Sequence, residues 1–379
     1  MAFRGVSRRD DRFDFLRGLA LLVIFIDHVP KNLFEPLTLH SFAFCDAAEV
    51  FFFISGYVAA LVYGGVMLKT GFKAAVRKVW RRAGVVYSYQ WLLTAIVLAL
   101  VWIFLSTTGD ETFRWSFRIQ WVFEEPLAYI LPAITMHYQP GYLDILPAYV
   151  VLLAFFPAVL WLMSRNVWYV LVPSFLLWLV VQFTGLSLWT TNGERWFFNP
   201  YAWQFLFVIG ASFGHPAMRG KFGWLDNRWL LRAAVVFVVP VALIQMGDTL
   251  SHYITGLNSV RPNTMMLDKP CLGTLRLISF FSWALIVRRF MPESGVLSSK
   301  GWAKAIVRTG SHSLQVFSFG CVLSSLTAVT WILLGPNYPV QTVETVIGVA
   351  LQLAFAAWLS QRKATLPKPV PAEPPGDPA

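Results

Sequence analysis

The first apolar segment of the chain, in the sequence RDDRFDFLRGLALLVIFIDHV, carries the ionisable side chains of Asp14, Arg17, Asp27 and His28. An ionisable group inside a membrane costs roughly 2.5 to 3.5 kcal/mol, so each is expected to have a partner or a function. On an α-helix, Arg17 and His28 share one face about 16 Å apart, because eleven steps of about 100° nearly complete three turns. Imidazole titrates near neutral pH and can take a proton from a hydroxyl, so His28 is predicted to be a general base.

A second interpretation of this segment is open. In it, Asp14 and Arg17 form an ion pair at the membrane surface, and His28 is a capped residue near the headgroups. Glu49 favours the catalytic interpretation, because it stands near the start of the next apolar segment, in DAAEVFFFISGY, at a depth comparable with that of His28. A carboxylate there would fix the imidazole tautomer and stabilise its charged form. The alternative for Glu49 is an ion pair with Lys31.

Membrane-spanning helices must position these residues. The 379 residues are 56% hydrophobic and 13% charged, against roughly 25% charged in soluble domains. Windows of about 20 mainly apolar residues predict an all-α fold, a polytopic integral membrane bundle of about ten transmembrane helices. The windows are Phe13 to Pro30, Ala47 to Met67, Ala83 to Leu105, Tyr142 to Met163, Val167 to Phe183, Tyr201 to Phe213, Trp229 to Gln245, Cys271 to Val287, Ser313 to Leu334 and Val343 to Leu359.

The distribution of basic residues gives this bundle an orientation. A net charge of +11 would suit a nucleic-acid partner, but most Lys and Arg residues stand on alternate short loops, as a membrane topology requires. The pattern predicts that both termini are cytoplasmic and that nucleic acid is not a partner. Residues 1–12 are predicted to be a cytoplasmic segment, 13–361 the membrane domain, and the proline-rich 362–379 a disordered cytoplasmic tail.

Two further features bear on function. The three cysteines are far apart and the histidines form no metal-ligand pattern, so neither a disulfide framework nor a metal site is predicted. The longest connection on the predicted outer side, Ser106 to Gly141, is rich in aromatic residues and is predicted to lie along the membrane surface. It would cover an outward-facing site.

The chain resembles the membrane-bound acyltransferase-3 superfamily in two patterns. The first helix carries Arg17 and His28 with ten residues between them, and the second carries FFFISGY. The strings DFLRGLALL, EVFFFISGY, YLDILP, FNPYAWQFLFVIG and SHSLQVF resemble its OpgC branch, which succinylates osmoregulated periplasmic glucans. These strings extend from Asp14 to Phe317. The resemblance implies an O-acyltransferase of the bacterial inner membrane that moves succinyl from cytoplasmic succinyl-CoA to glucan hydroxyls. It also implies catalytic roles for Arg17 and His28 and no permanently bound cofactor.

The resemblance further implies that Arg81 and Arg82, in KVWRRAGVVYSYQ, stand at the cytoplasmic entrance for the donor. Arginine binds phosphate in bidentate fashion, so these two residues, with Lys73 and Arg77, are predicted to dock the phosphates of acyl-CoA. Ordinary positive-inside charge explains Lys73 and Arg77 equally well.

Five residues near the predicted outer helix ends are candidates for binding the glucan or the succinyl group: Asp144, Asn199, Trp203, Gln204 and Arg276. Arg276 would hold the free carboxylate of succinyl. Asn199, Trp203 and Gln204 would bind sugar through stacking and amide hydrogen bonds, although helix packing also explains Asn199. Asp144 is either a binding group or a plain interfacial charge.

The predicted partners are acyl-CoA, a periplasmic glucan and the lipid bilayer. Two other functions remain open from the sequence. One is an O-acetyltransferase acting on another cell-surface glycan. The other is a transporter, in which intramembrane charges would surround a central cavity.

Overall fold

The computed structural model describes residues 10–119, 122–218, 221–255 and 264–365. Within these ranges the chain is helical, with a single isolated bridge between Trp189 and Arg195. The α-helices are α1 (Asp11–His28), α2 (Ala47–Thr70), α3 (Phe72–Thr108), α4 (Thr112–Ser116), α5 (Pro126–Ile134), α6 (Ile145–Arg165), α7 (Trp168–Thr184), α8 (Pro200–Gly214), α9 (Arg228–Thr255), α10 (Thr274–Phe290), α11 (Val296–Ser299), α12 (Gly301–Ser311), α13 (Ser313–Leu334) and α14 (Tyr338–Thr365).

Every one of the predicted apolar windows overlaps a helix, and the all-α prediction is confirmed for the described residues. Six helices there are long and apolar enough to cross a membrane, namely α2, α3, α6, α9, α13 and α14. They indicate a membrane protein. Helices α7, α8 and α10 have 17, 15 and 17 residues, and α1 carries several Asp and Arg side chains. The total of ten spans and the cytoplasmic location of the termini therefore stay predictions.

The ends of the bundle lie close to the predicted domain bounds. Helix α1 begins at Asp11. Asp10 caps it, because its side chain accepts a hydrogen bond from the N–H of Arg12 at 3.1 Å. Helix α14 continues to Thr365. Most of the predicted cytoplasmic segment 1–12 and of the predicted tail 362–379 lies outside the described residues.

Two helix pairs near the site pack backbone against backbone. A Cβ added to Gly56 of α2 would overlap the carbonyl oxygen of Phe207 in α8, and one added to Gly310 of α12 would overlap that of Asp14 in α1. Only glycine allows this approach. Gly56 therefore permits the close packing of α2 against α8.

Helix α1 is central, because it packs against α2, α12, α13 and α14. Its first residue, Asp11, accepts hydrogen bonds from the backbone N–H groups of Gly295 at 2.8 Å and Ser298 at 2.9 Å. Beyond its other end, the N–H of Leu33 donates to Thr342 Oγ1 at 3.2 Å, which ties it to the first turns of α14. These hydrogen bonds tie the start of α1 to α11 and the connection after α1 to α14.

Candidate active site

A cavity of about 690 Å³ surrounds the end of α1 at His28, and we call it the histidine cavity. Residues from α1, α6, α10, α13 and α14 contribute to its wall, with the connections before α2, α6 and α10. Its polar and charged lining includes His28, Arg118, Asp144, Lys269, Arg276 and Gln352. This is enough space for a sugar unit together with an acyl group.

His28 is held in a defined tautomer. Its Nδ1 lies 2.5 Å from the carbonyl oxygen of Ile24, one turn back on α1. A carbonyl only accepts, so Nδ1 carries the hydrogen, and in the neutral ring Nε2 carries the lone pair. The ring also lies edge-on to Tyr142, with centroids 5.4 Å apart. The half-buried imidazole therefore has a base nitrogen in the wall of the cavity.

Asp144 is one of the carboxylates that line the same cavity as His28. It stands at the N-cap position of α6, where its side chain makes no capping hydrogen bond. In general, a carboxylate close to a histidine base favours the protonated imidazole that forms when the base takes up a proton. Asp144 thus lies in the wall of the cavity, and its predicted binding role stays a prediction.

Glu49 has a different partner from the one predicted. The side chain is fully buried, and its Oε1 accepts a hydrogen bond from Nε of Arg276 at 2.7 Å. Its Oε2 accepts from the backbone N–H of Asp46 at 2.9 Å and closes a capping box at the start of α2. Both oxygens therefore bond to groups other than His28 and Lys31. One of them caps α2, and the other pairs with Arg276 of α10.

Arg276 is likewise occupied. Its Nη2 lies 2.6 Å from Glu49 Oε1 and 3.0 Å from Asp46 Oδ2. Asp46 also pairs with Lys269, whose Nζ is 2.7 Å away. Two carboxylates and two cations thus neutralise one another in a buried cluster. Arg276 lines the histidine cavity with its guanidinium already paired, and its predicted binding of the succinyl carboxylate stays a prediction.

The three predicted sugar-binding residues of α8 are engaged in packing instead. Asn199 is fully buried, caps α8 through the N–H of Tyr201, and donates to the carbonyl oxygen of Leu186 at 2.7 Å. Trp203 is fully buried and donates from Nε1 to the carbonyl oxygen of Lys269 at 3.0 Å. Gln204 joins α8 to α7, because its Nε2 donates to the carbonyl oxygen of Ser174 at 2.9 Å. Their hydrogen-bonding groups serve the fold.

A second cavity, of about 190 Å³, lies along α1 at Arg17 and is called here the arginine cavity. Its lining includes Arg17, Arg82, Ser55, Tyr63 and Tyr149. Arg17 is buried and donates from Nη2 to the carbonyl oxygen of Ile54 at 3.4 Å. Two guanidinium groups in one small cavity favour an anionic or strongly polarised ligand.

The predicted phosphate patch divides into two parts. Arg82 is half-buried and lines the arginine cavity. Lys73, Arg77 and Arg81 are exposed along α3 at four-residue intervals, which places them on one face of that helix. The exposed row leads along α3 to the turn that carries Arg82.

Phe317 of α13 contributes to the walls of both cavities. Its ring is buried and lies 6.3 Å from that of Phe51, centroid to centroid. Arg17 and His28 therefore line two different cavities, and Phe317 lines both.

Two features of the histidine cavity are absent from the predicted set. The Nδ1 of His40 lies 3.2 Å from Asp27 Oδ1, and its Nε2 lies 3.6 Å from Glu35 Oε1. Burial opposes the charged ring, but hydrogen bonds and charge from the two carboxylates raise the pKa of His40 to about 9. The cluster joins α1 to the following connection, and no helical spacing reveals it.

The second feature is Gln352, which is fully buried in α14 and lines the cavity. Within the described part of the chain, neither its amide nitrogen nor its amide oxygen has a hydrogen-bond partner. A buried amide is rarely left in this state. The signal in the sequence is a lone glutamine in the apolar string VALQLAF.

Among the residues that the structure describes, no group of three or more His, Cys, Asp or Glu side chains could hold a metal ion. The profile of the family described as OpgC protein matches residues 9–364. No curated protein and no solved structure matches the chain.

Proposed function

The chain belongs to the OpgC protein family, and from this premise we propose that it transfers succinyl from succinyl-CoA to hydroxyls of an osmoregulated periplasmic glucan. The family match supports a glucan succinyltransferase, and the apolar helices support a membrane-bound one. The donor and the catalytic residues are argued from the two cavities.

The observation that carries the proposal is the pair of cavities along α1. Arg17 and Arg82 line one, His28 lines the other, and Phe317 lines both. A reaction that joins a phosphorylated donor to a neutral sugar needs one cationic site and one site with a base. We assign the donor thioester to the arginine cavity, with its phosphates on the exposed row of α3, and the glucan hydroxyl to the histidine cavity.

In the proposed reaction, Nε2 of His28 takes the proton of a glucan hydroxyl as its oxygen attacks the thioester carbon. A C–O bond forms and the C–S bond breaks. The thiolate of coenzyme A then receives the proton from the imidazolium, so atoms and charge balance without an acyl-enzyme. Asp144 stabilises the imidazolium during the step. Phe317 must turn aside for the thioester to meet the hydroxyl.

The orientation follows from the distribution of Lys and Arg along the chain. Placing the basic loops inside puts both termini and the arginine cavity on the cytoplasmic side of the bacterial inner membrane, where succinyl-CoA is made available. The histidine cavity then faces the periplasm. Labelling of single cysteines introduced beside Lys73 and beside Arg118 with a membrane-impermeant reagent in intact cells tests this: only the second should react.

The activity is tested with purified protein in liposomes, radiolabelled succinyl-CoA and unsubstituted glucan. Wild-type protein should form labelled glucan ester, and His28→Ala should lower the rate by about 100-fold or more, the contribution of a general base. His137→Ala is the matched control, because His137 lies in the described chain away from both cavities. Absence of glucan ester with wild-type protein would refute the function, and full activity of His28→Ala would remove His28 from it.

A further inference from the structure

We propose that Arg118 binds the free carboxylate of the acyl group and so selects a dicarboxylic donor over a neutral one. The inference rests on the proposed acyl transfer and names the residue that recognises the carboxylate end of the succinyl chain. Arg118 follows α4 in the connection between α3 and α6, and it is one of the residues that line the histidine cavity.

Three Lys or Arg side chains line this cavity in the described residues, and two are committed elsewhere. Arg276 pairs with Glu49 and Asp46, and Lys269 pairs with Asp46 at 2.7 Å. Glu49 is fully buried, and the Asp46 side chain is only 15% exposed. A ligand that displaced either carboxylate from its cation would leave that carboxylate charged, unpaired and shielded from water. These two cations are unsuited to binding and releasing a substrate.

Arg118 is differently placed. Its partner is Glu194, 3.5 Å away, and the two side chains are 44% and 56% exposed. An ion pair of this length and exposure contributes little to stability, so an incoming carboxylate can replace Glu194 without leaving a buried charge. Glu194 then returns to water. A guanidinium can bind the new carboxylate through two parallel hydrogen bonds.

Arg118 shares this cavity with the groups around His28. Asp144 and Tyr142 line it too, and the Tyr142 ring lies edge-on to that of His28. In succinyl, only two methylene groups separate the thioester carbon from the free carboxylate. A thioester that reaches His28 therefore keeps its carboxylate within the cavity that Arg118 lines.

The backbone supplies a second, independent observation. Arg118 has φ +55° and Tyr142 has φ +68°, conformations that residues other than glycine adopt only at a cost. Such strain persists where the surrounding structure holds it, and it is concentrated at ligand sites. Both strained residues belong to the wall of one cavity.

The test measures kcat/KM for succinyl-CoA and for butyryl-CoA, which has the same number of acyl carbons and no carboxylate, with unsubstituted neutral glucan as acceptor. Arg118→Asn is the informative variant, because asparagine tolerates a positive φ. We expect kcat/KM for succinyl-CoA to fall about 10- to 100-fold, the loss of a charge-assisted hydrogen-bonded pair, and that for butyryl-CoA to stay within about 2-fold. Arg118→Lys should restore part of the preference.

Arg195→Gln is the matched control. Arg195 also makes a 3.5 Å ion pair, with Asp268, but does not line the cavity. An unchanged succinyl-to-butyryl ratio in Arg118→Asn, or an equal fall for both donors, overturns the inference while succinyl transfer by the wild type stands. No transfer by the wild type overturns the proposed function instead.

Discussion

The buried pair of Glu49 and Arg276 predicts an unequal response to removal of its two members. In Arg276→Met, the fully buried Glu49 loses its cation and keeps only the N–H of Asp46 as a partner. In Glu49→Gln, Arg276 still has the carboxylate of Asp46 at 3.0 Å. The first substitution is therefore expected to destabilise the protein more than the second.

The magnitudes follow from the geometry. At 2.6 Å and an effective dielectric constant of about 20, two unit charges attract by about 6 kcal/mol, part of which offsets their desolvation. Removing one partner of a buried pair costs about 3 to 5 kcal/mol, the value expected for Arg276→Met. Glu49→Gln loses a charged hydrogen bond and should cost about 1 to 3 kcal/mol. The double variant Glu49→Leu with Arg276→Met keeps the pair of Asp46 and Lys269 and should recover most of the loss.

Thermal unfolding of the purified variants in detergent tests this order. The quantity measured is the fraction of protein that stays monodisperse after heating. The double variant should unfold near the wild type, Glu49→Gln lower and Arg276→Met lowest. A double variant no more stable than Arg276→Met would refute the reasoning. Per folded molecule, Glu49→Gln should transfer succinyl at a rate near that of the wild type; a large loss at normal stability would support the role that the sequence predicts for Glu49.

Three shorter predictions follow from other features. The pKa of His40 is about 9, against an ordinary 6.5. The stability that protonated His40 contributes is therefore complete below about pH 6.5 and is lost as the pH rises through 9. The unfolding midpoint should fall over this interval, and His40→Gln should remove that part of the pH dependence. Gly56→Val should leave little folded protein in detergent because its side chain would overlap the backbone of α8, whereas Gly65→Ala on the same helix meets open space and should express normally. Arg82→Ala should lower succinyl transfer about 10-fold or more, since Arg82 lines the arginine cavity, whereas the exposed Arg81→Ala should raise the KM for succinyl-CoA by a smaller factor; equal effects of the two would contradict the division of the patch.

Much of the fold could be predicted from the sequence. Membrane helices make their backbone hydrogen bonds internally and are recognised by their length and apolar composition. The predicted windows all overlap helices. The spacing of Arg17 and His28 was also informative, because it depends only on helix geometry. The two residues line two cavities that share Phe317 as a lining residue. Local periodicity was sufficient for these features.

The partners of the charged residues were not accessible in the same way. Glu49 and Arg276 lie 227 residues apart in the chain, and nothing in the local sequence of either indicates the other. Depth alone suggested that Glu49 would meet His28, but a capping box at the start of α2 turns its carboxylate away. Asn199, Trp203 and Gln204 suggested sugar binding by residue type, although buried amides and indoles equally serve to tie helices and connections together.

The buried ring of Phe317 lines both cavities, and this has a consequence for the proposed arrangement in a membrane. A continuous water-filled passage from Arg17 to His28 would let protons and small ions flow down their gradients. We expect the bulk of the Phe317 ring to oppose such a passage. Smaller side chains at this position should therefore make cells that express the protein leak protons, independently of any effect on glucan.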